Sequence, residues 1–152
     1  MKPTFNTLEK GENIGNTSFS ISRADLIKYA GASGDYNPIH WNERFAQSVG
    51  LPGVIAHGMY TMGLAINLVS EWATDPGAII DYQCRFSKPV IVPDAPAQQN
   101  PQEPTATVHV SGKIAELYPD TQQTRVDLTV TTTDENGKEQ KVLLKAQAIV
   151  QL

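Results

Sequence analysis

Gly58-Met59-Tyr60-Thr61-Met62-Gly63-Leu64-Ala65-Ile66-Asn67-Leu68-Val69-Ser70-Glu71-Trp72-Ala73 carries no charge before Glu71 and is apolar on nearly every face. A helix of that kind belongs in a core, wrapped by a sheet. Met59, Met62, Ile66 and Val69 recur at spacings of three and four, which predicts one stripe facing the sheet. The small residues Gly58 and Gly63 allow close approach of chain or substrate. The helix lies in a longer uncharged segment, Phe45 to Ser70, but Pro52, His57, Asn67 and the glycines at 50, 53, 58 and 63 interrupt it. No run of about 18 apolar residues remains, so a membrane span is not expected.

Downstream, the Asp75-Pro76-Gly77 turn leads into strand patterns. Ala78 to Phe86 and Pro89 to Val92 are rich in β-branched and aromatic residues. Asp94 to Pro104 reads as an exposed polar connector. Thr105 to Leu117, Thr124 to Thr133 and Lys138 to Val150 alternate with period two. Val126, Leu128 and Val130 oppose Asp127, Thr129 and Thr131, which implies one buried face. The Asn136-Gly137 pair predicts a tight hairpin between the last two strands. Upstream, Ser22 caps a helix through Leu26, Ile27 and Tyr29 that should stop at Gly31. Asn42 caps a second, short helix through Phe45 and Ala46 that ends near Gly50. Strands clustered after helices signal an α+β fold and argue against a βαβ dinucleotide-binding architecture.

At 152 residues the chain is expected to form a single domain over residues 1–152. A formal charge of −4, with 12 Lys and Arg against 16 Asp and Glu, argues against a phosphate-tracking surface, so no nucleic-acid partner is expected. Cys84 is alone, which excludes an intrachain disulfide and a multi-thiolate metal site and suits a reducing compartment, with the cytoplasm as the default. The run from Met1 to Gly15 is polar and charged, so no secretory signal is expected there.

Two segments carry candidate chemistry. Ser33-Gly34-Asp35-Tyr36-Asn37-Pro38-Ile39-His40 places a carboxylate and an imidazole five residues apart, in a loop stiffened by Gly34 and Pro38. Asp35 and His40 form a candidate acid/base pair, although Asp-x-Asn-Pro is also common turn chemistry. Ala56-His57-Gly58-Met59 opens the long helix. The first amides of a helix have no intrahelical acceptor and sit at the positive end of its dipole, so the Gly58 N–H is placed to hold a developing oxyanion such as that of a thioester. His57 reads as a helix cap or a satisfied core histidine.

Together these segments resemble the MaoC-like (R)-specific enoyl-thioester hydratases and dehydratases. The resemblance rests on Tyr29 to His40 with Ala46 following, on Ala56-His57-Gly58-Met59, and on Arg85-Phe86-Ser87-Lys88-Pro89-Val90. With Trp72-Ala73-Thr74-Asp75-Pro76-Gly77-Ala78, the likeness narrows to the catalytic subunit type of actinobacterial (3R)-hydroxyacyl-carrier-protein dehydratases, from which the Asp94 to Pro104 loop departs. The resemblance implies a hot-dog fold, in which an antiparallel sheet wraps a long buried helix. It implies reversible dehydration of (3R)-hydroxyacyl thioesters of carrier protein or coenzyme A. Asp35 and His40 would share a water or substrate hydroxyl, Asn37 would orient them, and Gly58 would polarise the carbonyl. Gly34, Pro38 and His57 would be structural. No cofactor and no metal are implied, and the expected assembly is a homodimer or a heterodimer with a related hot-dog subunit.

Several other readings compete. Enoyl-coenzyme A hydration for fatty-acid degradation or polyester supply uses the same chemistry. A metal hydrolase built on His40, Glu43 and His57 lacks the helical histidine pair of zinc proteases. Cys84 as a nucleophile lies inside a strand pattern, where a small buried thiol is the usual occupant. A hot-dog thioesterase shares the expected fold, but the Asp35–His40 loop favours hydration over hydrolysis. A non-catalytic acyl-binding hot-dog subunit would be expected to lack that pair.

Overall fold

The computed structural model describes residues 2–152; Met1, the first residue of the charged N-terminal run, lies outside them. The long helix α3 (Gly58–Ala73) forms with the predicted boundaries. Before it come α1 (Arg23–Ser33) and the short α2 (Glu43–Ser48). The strands β1 (Asn13–Ile21), β2 (Ile79–Phe86), β3 (Ala106–Tyr118), β4 (Gln123–Thr133) and β5 (Glu139–Gln151) make one antiparallel sheet in the order β1-β3-β4-β5-β2. Ala65, Leu68 and Val69 of α3 share a core with Val108, Val110 and Ile114 of β3 and Val126, Leu128 and Val130 of β4. This is the α+β hot-dog arrangement that the sequence predicts.

Local signals explain most boundaries. Ser22 accepts a hydrogen bond from the Asp25 N–H at 3.2 Å, and the Asp25 carboxylate accepts one from the Ser22 N–H at 2.9 Å. Such a reciprocal capping box contributes about 1 kcal/mol. Asn42 caps α2 through the Phe45 N–H. The Tyr82 hydroxyl of β2 donates to the Met62 carbonyl of α3 at 3.0 Å, tying helix to sheet, and burial pushes its ionisation well above the ordinary tyrosine value. Asp134 N–H donates to the Lys138 carbonyl, closing the β4–β5 hairpin, and Gly137 takes φ +76° within it.

Five sequence expectations need correction. β1 precedes the helices, so the strands do not all follow them; its Thr17, Phe19 and Ile21 alternate with serines, and only Ile21 is fully buried. Pro89 to Val92 is no strand of the sheet. Pro89 lacks an N–H, and the neighbouring backbone pairs instead with the segment before α3, through Ala56 N–H to Val90 O at 2.8 Å and Val92 N–H to Val54 O at 2.9 Å. α1 passes Gly31 and ends at Gly34, whose φ of +77° supplies the left-handed cap that Gly31 does not. On α3 the buried stripe is Thr61, Ala65, Leu68 and Val69, while Met59 is 60% exposed and a side chain added at Gly63 would meet nothing within 4 Å. Of the predicted stripe only Val69 is fully buried and Ile66 packs partly against the core, so the buried face is turned from the predicted one and takes in Thr61, Ala65 and Leu68. Thr131 is buried, against strict alternation, because a register shift separates Val130 from Thr131. The connector 94–104 is irregular, as expected. No helix among the described residues is long and apolar enough to cross a membrane.

Candidate active site

The catalytic-loop candidates sit between α1 and α2. After the left-handed Gly34, the Asp35 N–H donates to Ser33 Oγ, and the Asn37 N–H donates to Asp35 Oδ1 at 3.1 Å. Asn37 Oδ1 in turn accepts from the Ile39 N–H at 3.2 Å and caps a single 3-10 turn, Pro38–His40. Pro38 stands at the start of that turn, where its fixed φ fits and no N–H is needed. The Trp41 indole donates to the Tyr36 carbonyl, closing the loop from the other side. The side chains of Ser33, Asp35 and Asn37 therefore shape the backbone that presents Asp35 and His40.

His40 is buried and its ring orientation is defined. Its Nδ1–H donates to the Ile55 carbonyl at 2.7 Å. With that nitrogen protonated, the neutral ring carries its lone pair on Nε2. Nε2 lies 3.8 Å from Asp35 Oδ2, and the Asp35 side chain is half exposed. The gap is too wide for a direct hydrogen bond and suits one oxygen held between the two groups.

His57 occupies the N-cap position of α3 but makes no side-chain cap. Its Nε2–H donates to the Asp35 backbone carbonyl at 3.1 Å, and its ring stacks on His40 with centroids 3.8 Å apart and planes 22° apart. The Tyr29 ring also packs against it, tilted by 59° with centroids 4.7 Å apart. His57 thus ties the Asp35 loop to the start of α3, while its Nδ1 is buried without a partner. Burial holds its pKa below the ordinary histidine value of 6.5, outweighing the Asp35 carbonyl, which favours the charged ring, and the His40 charge lowers it further. A pKa depressed on folding stabilises the fold above pH 6.5 and withdraws that stability as pH falls through the lower, folded value. Denaturant melts across this acid range should show a steeper loss of stability for the parent than for His57→Gln. Equal slopes would mean that His57 does not carry the acid sensitivity.

A cavity of about 410 Å³ joins these groups to α3. Asp35, Ile39 and His40 form one wall, Gly58, Met59 and Thr61 another, and the segment Phe86 to Val90 with Val142 and Leu143 closes it. Gly58 is exposed to this space at the first position of α3, with the Phe86 ring 3.0 Å from where its side chain would begin. The loop motif and the helix start, read separately in the sequence, thus meet at one cavity. Asn37 is not part of that wall and acts on it only through the turn. Sequence reasoning missed Lys88, Val142 and Leu143 as wall residues, and the Ile55 carbonyl that sets the His40 tautomer. A backbone acceptor leaves no signal in a side-chain pattern.

Asp35, His40 and His57 each offer a ligand atom within 4.8 Å of the others. They do not fit a metal ion, because near-parallel stacked imidazoles aim their lone pairs side by side instead of at one point. Glu43, the other candidate ligand, pairs with Arg23 at 2.5 Å. The Cys84 thiol is pushed up by burial, which disfavours the nucleophilic thiolate.

A sequence profile of the MaoC like domain matches residues 6–99. The 3-hydroxybutyryl-CoA dehydratase of Methylorubrum extorquens is 32% identical over 133 residues, covering 87% of this chain and 73% of that protein. The (R)-specific enoyl-CoA hydratase of Rhodospirillum rubrum is 33% identical over 113 residues, covering 74% of this chain and 72% of that one. A solved structure described as a MaoC-like dehydratase superposes with a TM-score of 0.87 at 37% identity, covering 99% of this chain. This chain spans 42% of that solved chain's length. On the profile and the two relatives, the chain belongs to the MaoC-like domain family.

Proposed function

We propose that the chain, acting as one hot-dog unit over residues 1–152, interconverts (3R)-hydroxyacyl thioesters and trans-2-enoyl thioesters by removing or adding water. One observation carries the reading: the 3.8 Å gap between His40 Nε2 and Asp35 Oδ2 opens on a cavity whose facing wall holds the first amide of α3. Relatives named as a dehydratase and as a hydratase support it.

In the hydration direction a water held between Nε2 and the carboxylate gives up a proton to the pair as its oxygen bonds to C3. The C2=C3 π electrons move toward the thioester, negative charge grows on the carbonyl oxygen, and the Gly58 N–H stabilises it. C2 then takes a proton back from the same pair. Dehydration reverses these steps: the C2–H and C3–O bonds break, the double bond forms, and water leaves. Asn37, Gly34 and Pro38 act as positioning residues for the loop, and His57 fixes the loop to α3. The reaction requires no redox step.

Incubation with crotonyl-coenzyme A, following both conjugated absorbance and free thiol, tests the reading. Loss of absorbance with formation of the (3R)-3-hydroxy product and no thiol release is expected. Thiol release at the rate of absorbance loss would make the chain a thioesterase. No reaction, beside an active related subunit, would make it a binding companion.

We also propose an obligate dimer with a second copy or a related hot-dog chain. β2 is an edge strand, and its own Ile80 and Phe86, like Met59 of α3, are each more than half exposed. Open strand edges with apolar surroundings are covered in stable proteins. Sedimentation should give a dimer; a monodisperse, fully active monomer would contradict it. The single cysteine supports a reducing compartment, with the cytoplasm the expected one.

A further inference from the structure

Helix α3 contributes one hydroxyl-bearing residue to the cavity wall, Thr61, which is 3% exposed and stands beside Gly58 and Met59. A valine has nearly the same shape and no hydroxyl to take out of water. The Thr61 hydroxyl is committed to one acceptor. The carbonyl oxygen of His57 accepts the Thr61 N–H at 3.1 Å and the Thr61 Oγ–H at 3.4 Å. That carbonyl belongs to the peptide unit whose other end is the Gly58 N–H, the first amide of α3, which has no intrahelical acceptor. In a planar trans peptide the C=O and the N–H point in opposite directions, so both Thr61 donors act on the far end of the group that presents the amide. Resonance joins the two ends. Hydrogen bonds that draw electrons onto the oxygen make the proton on nitrogen a stronger donor. Ser70 makes the same type of contact one turn back, to the Ile66 carbonyl at 3.3 Å. There the amide at the other end of the peptide, that of Asn67, lies inside the helix and donates to a carbonyl four residues back, so any strengthening stays within the helix. At Thr61 it reaches the free amide at the helix start.

We propose that Thr61 is a positioning residue whose hydroxyl polarises the peptide between His57 and Gly58 and so strengthens the Gly58 N–H as the donor to the substrate's carbonyl oxygen. This rests on the dehydratase reading above, in which that N–H holds the thioester carbonyl. As negative charge grows on the substrate oxygen, the Gly58 N–H bond strengthens, the His57 oxygen becomes more negative, and the Thr61 hydroxyl binds it more tightly. The contact is therefore stronger in the transition state than with substrate bound, and its loss falls on kcat more than on KM. Cooperative strengthening amounts to about 10–30% per bond and an oxyanion donor is worth about 10² to 10³, so the hydroxyl should be worth about 2- to 8-fold in turnover.

Two measurements on the parent, Thr61→Val, Thr61→Ser and Ser70→Ala test this: hydration of crotonyl-coenzyme A, and the infrared carbonyl stretch of bound butyryl-coenzyme A, isotope-labelled at the thioester carbonyl and unable to be hydrated. Thr61→Val should lose about 2- to 8-fold in kcat with KM within about twofold of the parent. Thr61→Ser keeps the hydroxyl and should run at the parental rate, as should Ser70→Ala. The bound carbonyl should stretch at higher frequency in Thr61→Val than in the parent, because a weaker donor polarises it less, and at the parental frequency in the other two. Parental kcat in Thr61→Val overturns the role of Thr61. So does an equal loss in Thr61→Ser and Thr61→Val, which assigns the effect to the packing of the methyl group. A loss of kcat with an unshifted carbonyl stretch overturns it as well, and a loss carried by KM would mean direct contact between the hydroxyl and the substrate. In each of these cases the parent still hydrates crotonyl-coenzyme A and the dehydratase reading stands. A parent that hydrates none overturns the dehydratase reading itself.

Discussion

Asp35→Asn and His40→Ala each lower turnover of an enoyl thioester by at least about 10²-fold, with circular dichroism unchanged. The size follows from the loss of one partner in proton transfer, typically worth about 10² to 10⁴. Asp35→Asn is the cleaner test. Its side chain is half exposed, and an asparagine oxygen still accepts the Asn37 N–H, so the loop keeps its turn while the ionisable group is gone. His40 is 6% exposed and stacked on His57, so His40→Ala also opens a gap in the packing. His40→Gln fills part of that gap and should lose turnover to a similar degree. Turnover within about threefold of the parent in either Asp35→Asn or His40→Gln would remove the pair from the chemistry. His57→Gln should cost less than either, since the His57 Nε2–H is committed to the Asp35 backbone carbonyl. Losses equal to those at His40 would make the site a three-residue one.

The second large effect is expected at the start of α3. Gly58→Pro removes the N–H and should lower turnover by at least about 10²-fold, the usual cost of one oxyanion donor. The backbone tolerates the change. Proline fits the first position of a helix, and His57, the residue before it, has φ −59° and ψ 132°, the extended conformation that precedes proline. Gly58→Ala keeps the amide and places a methyl group 3.0 Å from the Phe86 ring. Phe86 is half exposed, and its ring can give way into the cavity mouth, so this variant should raise KM more than it lowers kcat. A folded Gly58→Pro enzyme running at the parental rate would leave the thioester carbonyl without its partner.

The long helix was legible because its apolar run, its cap region and its limits agree, and the three C-terminal strands because period two and the Asn136-Gly137 turn agree. β1 was not legible, since serines and threonines dominate it and its stability comes from pairing with β3 over Asn13 to Ile21. The buried stripe of α3 was misjudged because the helix is apolar on nearly every face, so spacings of three and four mark several possible stripes, and of the one chosen only Val69 is fully buried. Asp35, His40 and Gly58 were legible as candidates, from two local motifs. Their convergence came only with the family resemblance and not from the local patterns, because it depends on Ile55 latching His40 and His57 latching Asp35, both across the fold. Lys88 was invisible as a wall residue for the same reason, since its neighbours in the cavity lie on β5.

In the proposed reaction one pair of side chains, on one side of the substrate, both places the water and returns the proton. Hydration of crotonyl-coenzyme A in deuterium oxide, with the product's configuration read by nuclear magnetic resonance, tests it most directly. A shared pair predicts one deuterium at C2 on the same face as the new hydroxyl at C3, with C3 in the R configuration. Deuterium on the opposite face would require a second proton donor across the cavity and would contradict the joint role of Asp35 and His40.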